Sequence, residues 1–180
     1  MAAYPHDGLD PFEFRDRIIR PTLHIFGAKF ETDAAVNLLL GTAIQETNLD
    51  HLKQLAGGPA AGLYQIEPAT HEDLIKTYFF QGLPSEIIGR QNAERRRRRA
   101  LYFSVLDMFR SQVPAAVLQL EGSLFYQTAV ARFIYWRVPK ALPDADDIPG
   151  LAAYWKKWWN TPLGKGTVAQ YIKNWKRAMG

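Results

Sequence analysis

The sequence predicts one all-α domain, with a small loop or β-hairpin region after its second helix. Segment 33–47 places apolar residues three and four apart, the spacing of a helix with a buried face, and 123–138 is almost continuously apolar, as a central helix would be. Capping and breaking residues punctuate those segments and the shorter ones between them. The chain is 180 residues long and 47% hydrophobic, enough for one sizeable core, and contains no repeat or linker that would divide it. A single domain over 1–180 with a loose N-terminal arm over 1–12 follows.

The elements can be read in order. Pro11 opens a short helix over 11–20, and Pro21 is expected to stop it. Gly27-Ala-Lys is a turn. Thr32 caps a helix over Asp33 to Thr47 whose buried face is Ala35, Val36, Leu39, Leu40, Ala43 and Ile44. Gly57-Gly58-Pro59 excludes helix, and Gly62 to Pro68 is either a short strand or an irregular loop. Thr70 and Asp73 have capping-box spacing for a helix over 70–80, which Gly82 stops. Pro84 begins a short helix ending near Gly89. A long helix over 92–110 carries Arg95 to Arg99 and a core stripe of Leu101, Val105, Leu106 and Phe109. Pro114 opens a piece closed by Gly122. Ser123 caps the almost wholly apolar helix to Val138, read as the centre of a bundle. Asp147 caps a helix through Trp159, 160–166 is a loop, and Thr167 starts the last helix.

Composition excludes several kinds of chemistry. The chain has no cysteine, hence no disulfide framework or thiolate nucleophile. His6, His24, His51 and His71 have no metal-ligand spacing, and no nucleophile elbow, P-loop or dinucleotide motif occurs. No cofactor is expected. The start lacks the apolar core of a signal peptide, and no apolar run approaches a membrane span. A net charge of +4 favours anionic partners: nucleic acid, a phospholipid surface or an acidic polysaccharide.

Glu46 is the most informative residue. It ends the apolar run Asp33-AAVNLLLGTAIQ-Glu46 on the inward side, three beyond Ala43 and seven beyond Leu39. A carboxyl group so placed, facing a polar loop, is the setting for a raised pKa and for general acid catalysis. An exposed glutamate at a helix end is the plainer alternative. Sixteen residues on comes Gly62-Leu-Tyr-Gln-Ile-Glu-Pro-Ala-Thr70. This pairing resembles the lytic transglycosylase and goose-type lysozyme pattern of a Glu-Ser pair, a variable loop and Gly-Leu-Met-Gln-Ile-Met-Pro-Ala-Thr. Seven of the nine motif positions agree; Tyr64 and Glu67 replace the two methionines, and Thr47 replaces the serine. Looser echoes are Gln127 to Tyr135, against an Asn-Ile-x-x-Gly-x-x-Tyr-Leu helix, and Trp158 to Gly164, against an Ala-Tyr-Asn-Ala-Gly loop, with Trp159 in the tyrosine position.

The resemblance implies a lysozyme-like fold and a glycosidase that cleaves peptidoglycan between N-acetylmuramic acid and N-acetylglucosamine, with Glu46 as general acid and base. Products are either 1,6-anhydro ends, slightly favoured, or reducing ends made by water. Glu67 is the first candidate for a second carboxylate. Gly62, Tyr64, Gln65, Tyr135, Trp159 and Asn160 are candidate substrate-binding residues. Each also has a structural reading: turn, core, loop brace, core, core and loop tie, respectively. Thr70 is read as a cap. Tyr135 or Tyr154 is a possible source of the hydroxyl that Trp159 lacks. The expected partner is the glycan strand, acted on by a monomer. The overall pattern resembles phage-encoded members, which implies an endolysin made in the host cytoplasm and released to the wall at lysis, or alternatively a virion-associated protein. Arg95 to Arg99 form either a solvated face or a patch for the anionic cell envelope. A nucleic-acid-binding helix is the competing reading, without a recognition signature to support it. A lysozyme-fold structural protein without activity is the other.

Overall fold

The computed structural model describes residues 8–55, 57–80, 90–109, 116–161 and 164–180. The expected helix over 84–89, the stop at Gly82 and the opening at Pro114 lie outside those residues. The described chain is all-α. Among the described residues there are eight helical runs: α1 (Pro11–Glu13, Phe14–Ile19 and Arg20–Ile25), α2 (Asp33–Thr47), α3 (Pro68–Asp73 and Leu74–Phe80), α4 (Arg90–Met108), α5 (Ala116–Gly122), α6 (Leu124–Trp136), α7 (Ile148–Trp155 and Lys156–Asn160) and α8 (Val168–Met179).

Caps set the beginnings. Asp10 accepts from the Phe12 and Glu13 amides, Thr32 from Ala35, Ser123 from Tyr126 and Asp147 from Gly150. Thr167 and Gln170 form a reciprocal capping box on α8. Three expectations about helix ends need correction. Pro21 does not stop α1. The segment Phe14–Ile19 just before it is a wider π turn, which leaves room for the pyrrolidine ring, and the run continues to Ile25. Thr70 is not a cap. Pro68 takes the first helical position after extended Glu67, so Thr70 lies inside the turn. Asp73 instead accepts from Thr77 and Arg137. The N-terminal arm ends by residue 10, where the Leu9 amide donates to the Leu49 carbonyl and Asp10 caps α1.

Two helices occupy the centre, where the sequence suggested one. α6 is buried from Tyr126 to Tyr135, and α2 is buried at Leu38, Gly41, Thr42 and Thr47 as well as on its expected face. α2 packs against α1, α6, α7 and α8, so it has no solvent side for most of its length. On α4, Leu106 is buried, but Leu101 is 62% exposed. Tyr102 takes the inward place, edge-on to Phe30 at 5.0 Å.

The segment between α2 and α3 is neither helix nor regular hairpin. Isolated antiparallel bridges join Lys53 to Ala61 and Ala61 to Ile66. The Ala61 and Ile66 amides each donate to the other's carbonyl, so Gly62–Gln65 is a tight four-residue turn. Gly62 has φ +75°, and a Cβ there would lie 2.7 Å from Gln127 Oε1 and 2.8 Å from the Leu120 carbonyl oxygen. Only glycine fits both the conformation and the space. The Gln127 Oε1 that approaches it also accepts from the Leu63 amide, which fastens this turn to α6.

Candidate functional site

Glu46 lies in the last turn of α2 and is held by a neighbour from far along the chain. Trp155 Nε1–H donates to Glu46 Oε1 at 3.0 Å. The indole is itself buried and packs on Tyr171 of α8, with ring centroids 5.4 Å apart. Adjacent residues fix the same helix end from other directions. The Thr47 hydroxyl reaches the carbonyls of Ala43 and Leu63, tying α2 to the turn after Gly62. Gln45 accepts from Asn174, and Asn48 accepts from Arg177, both on α8. Asn48 ends α2 in the left-handed conformation, φ 54°. Four consecutive side chains, Gln45 to Asn48, thus each meet a different anchor, leaving the Glu46 carboxyl little freedom.

Burial is the main influence on its protonation. Desolvation raises the Glu46 pKa to about 7, and the Trp155 hydrogen bond offsets this only in part. Near neutral pH the group is therefore both a proton donor and, once emptied, an acceptor.

Glu46 borders a cleft of about 780 Å³. Its lining includes His51, Gln54, Gln65, Glu67 and Thr70 from the loop and motif segment, Trp158, Trp159, Asn160 and Gly164 from the end of α7 and the loop after it, and Ile134 and Arg137 from α6 and its end. Of the residues singled out in the sequence, Glu46, Glu67, Gln65, Trp159 and Asn160 therefore share one cavity. Glu67 is exposed there and makes no side-chain cap to the helix it precedes. Gln65 also braces its own turn, its Nε2 donating to the Gly62 carbonyl. Asn160 accepts from Lys156 Nζ, which also donates to the Gly164 carbonyl, so it ties down its loop while bordering the cleft.

Three named residues lie beneath the cleft instead. Gly62 is the turn residue described above. Tyr64 is fully buried, with its hydroxyl at 3.2 Å from Thr128 Oγ1. Tyr135 is buried with its hydroxyl at 2.8 Å from Thr42 Oγ1. Of the alternatives open in the sequence, these two side chains are core. Both support the cleft indirectly, because the Trp159 ring rests near them at 6.3 Å from Tyr64 and 5.1 Å from Tyr135. The Tyr154 hydroxyl donates to the Lys140 carbonyl, so the Tyr154 and Tyr135 hydroxyls have Lys140 and Thr42, not Glu46, as their hydrogen-bond partners.

Sequence reasoning missed Trp155 as the partner of Glu46. The sequence places Tyr154, Trp155, Trp158 and Trp159 close together, and the structure divides them: Trp155 faces inward to the carboxyl, and Trp158 and Trp159 line the cleft. It also missed Arg137, which lies on the cleft border and pairs with Asp73, holding that carboxyl below its ordinary range. The arginine run lies elsewhere, on α4. Arg95 to Arg98 are exposed, Arg98 pairs with Glu94, and Arg99 lies over the Tyr78 ring at 4.5 Å. Among the described residues, no group of three His, Cys, Asp or Glu side chains is placed to hold a metal ion, and no helix is long and apolar enough to cross a membrane.

No family model, curated protein or solved structure matches the chain.

Proposed function

We propose that this chain is a peptidoglycan-cleaving glycosidase with a lysozyme-like fold, and that Glu46 is its general acid and base. The observation that carries the reading is the joint placement of Glu46 and the motif turn. A carboxyl group raised to about 7 opens into a cleft large enough for several sugar rings, beside the 62–70 segment that resembles the transglycosylase motif. Thr47, where the resemblance has serine, reaches the Leu63 carbonyl inside that motif. The two sharpest parts of the sequence signature therefore meet through a side-chain contact.

The chemistry follows from one carboxyl group. Protonated Glu46 gives its proton to the oxygen bridging N-acetylmuramic acid and N-acetylglucosamine as that bond breaks. The resulting carboxylate takes the proton from the muramyl C6 hydroxyl, whose oxygen bonds to C1. The product is a 1,6-anhydro sugar, no water is consumed, and Glu46 ends protonated. Intramolecular attack removes the need for a second carboxylate because the substrate positions its own nucleophile. In the hydrolytic alternative a water attacks C1, and Glu67, exposed in the same cleft, orients it. Trp158 and Trp159 offer indole faces to sugar rings, and Gln65 and Asn160 offer amides. A phage endolysin, or a virion-borne wall opener, is the setting the resemblance favours.

Loss of turbidity of purified sacculi tests this reading. Wild type clears the suspension near neutral pH, and Glu46→Gln, which has the shape but not the titratable proton, does so at least about a thousandfold more slowly. Equal clearing by both proteins would refute the role of Glu46. No clearing by either would favour a lysozyme-fold protein without activity.

A further inference from the structure

A second cavity, of about 480 Å³, opens on another part of the molecule, between α6 and the loop that follows it. Its most unusual lining residue is Arg132. This side chain is 4% exposed, yet no carboxylate pairs with it among the described residues. Its Nε donates to the Phe30 carbonyl at 3.1 Å, and the guanidinium carbon lies 5.4 Å from the Phe30 ring centroid and 5.0 Å from that of Trp136. Those two rings stack on each other 4.1 Å apart, and the guanidinium lies beside the pair, about equally far from both.

This leaves the four Nη–H donors. They have no acceptor among the described residues, neither Nη atom is fully buried, and Arg132 is one of the residues that line the cavity. Burial lowers the Arg132 pKa to about 10, which still leaves it charged at neutral pH. A buried cation is normally matched by a protein carboxylate. Here the cavity adds two more cations, Lys29 and Lys140, against the single acid Asp144. The wall is held in shape, not loose: Tyr154 donates to the Lys140 carbonyl and Asn37 to the Ala145 carbonyl. Trp136, half-buried, gives the cavity an aromatic surface beside the charge.

We propose that this cavity is a binding site for a soluble phosphate ester, with the phosphate on the Arg132 fork between Lys29 and Lys140 and an apolar body against Trp136. A planar fork of free donors suits a tetrahedral oxyanion, and three cations against one acid favour a dianion over a single carboxylate. The site is separate from the Glu46 cleft and does not depend on the reading of that cleft.

Titration of the full chain with phenyl phosphate, followed by the ¹H–¹⁵N resonances of the tryptophan indoles, tests it. The Trp136 indole resonance shifts saturably, phenol at the same concentration leaves it in place, and the shift persists in Glu46→Gln. The double variant Lys29→Ala/Lys140→Ala, altered only at exposed side chains, binds about tenfold more weakly. Arg132→Gln, which keeps an amide for the Phe30 carbonyl, loses saturable binding. The proposal is overturned if phenyl phosphate gives no saturable Trp136 shift. It is equally overturned if the affinity is unchanged in the lysine double variant, which needs no change in the core to be informative.

Discussion

Replacing Glu46 by glutamine tests the buried carboxyl without any substrate. The ordinary pKa of this group is 4.5, and burial raises it to about 7 in the folded protein. Between those values the native chain holds a proton that the unfolded chain has lost, so stability falls as pH rises through this window. Below pH 4.5 both states are protonated and the burial of Glu46 carries no ionic penalty. Above about 7 both are ionised and the penalty is complete. At about 1.4 kcal/mol per pH unit the gap corresponds to about 3 kcal/mol, reduced to about 2 kcal/mol by water on the cleft side. Glutamine has no such penalty and keeps an oxygen for the Trp155 Nε1–H. Urea unfolding of both proteins at pH 4, 6 and 8 reads the difference. Glu46→Gln should match wild type at pH 4 and exceed it by about 2 kcal/mol at pH 8. A difference that is constant with pH, or that grows toward acid, would refute the assignment of a raised pKa to this residue.

Other perturbations probe the surroundings of that group. Trp155→Phe removes the hydrogen bond that lowers the Glu46 pKa, so the Glu46 midpoint, read by carbon NMR of the carboxyl, moves above about 7; unfolding should also cost about 2 kcal/mol for the lost indole volume. Gly62→Ala meets both a strained backbone and two oxygens, whereas Gly57→Ala at φ +81° meets open space. Denaturant midpoints should show about 1 kcal/mol for Gly57→Ala and clearly more, about 3 kcal/mol, for Gly62→Ala. Thr47→Val removes the hydroxyl between α2 and the Leu63 carbonyl and should destabilise by about 1–2 kcal/mol in the same assay.

The sequence disclosed what depends on local pattern. The bounds of α2, the Thr32, Ser123, Asp147 and Thr167 caps, and the glycine turn at 62 are all short-range chemistry that one stretch of chain displays. What it concealed depends on partners distant in sequence. Trp155 is 109 residues from Glu46, and no periodicity distinguishes an indole aimed at a carboxyl from one aimed at a sugar. Tyr64 and Tyr135 carry both an apolar ring and a polar tip, so their burial turned on Thr128 and Thr42 being placed to receive the hydroxyls. Pro21 misled because its helix-stopping effect is removed by a π turn just before it, a feature with no simple residue signature. Arg132 sits in an apolar run, and the Phe30 and Trp136 rings it lies beside come from separate parts of the chain.

The central claim, that Glu46 moves the proton in glycan cleavage, is tested most directly by mass spectrometry of purified peptidoglycan after digestion with wild type and with Glu46→Gln. Soluble fragments from wild type alone are the predicted result, with 1,6-anhydromuramyl ends for the favoured route and reducing muramyl ends for the hydrolytic one. Fragments released equally by Glu46→Gln, or none released by a correctly folded wild type, would contradict it.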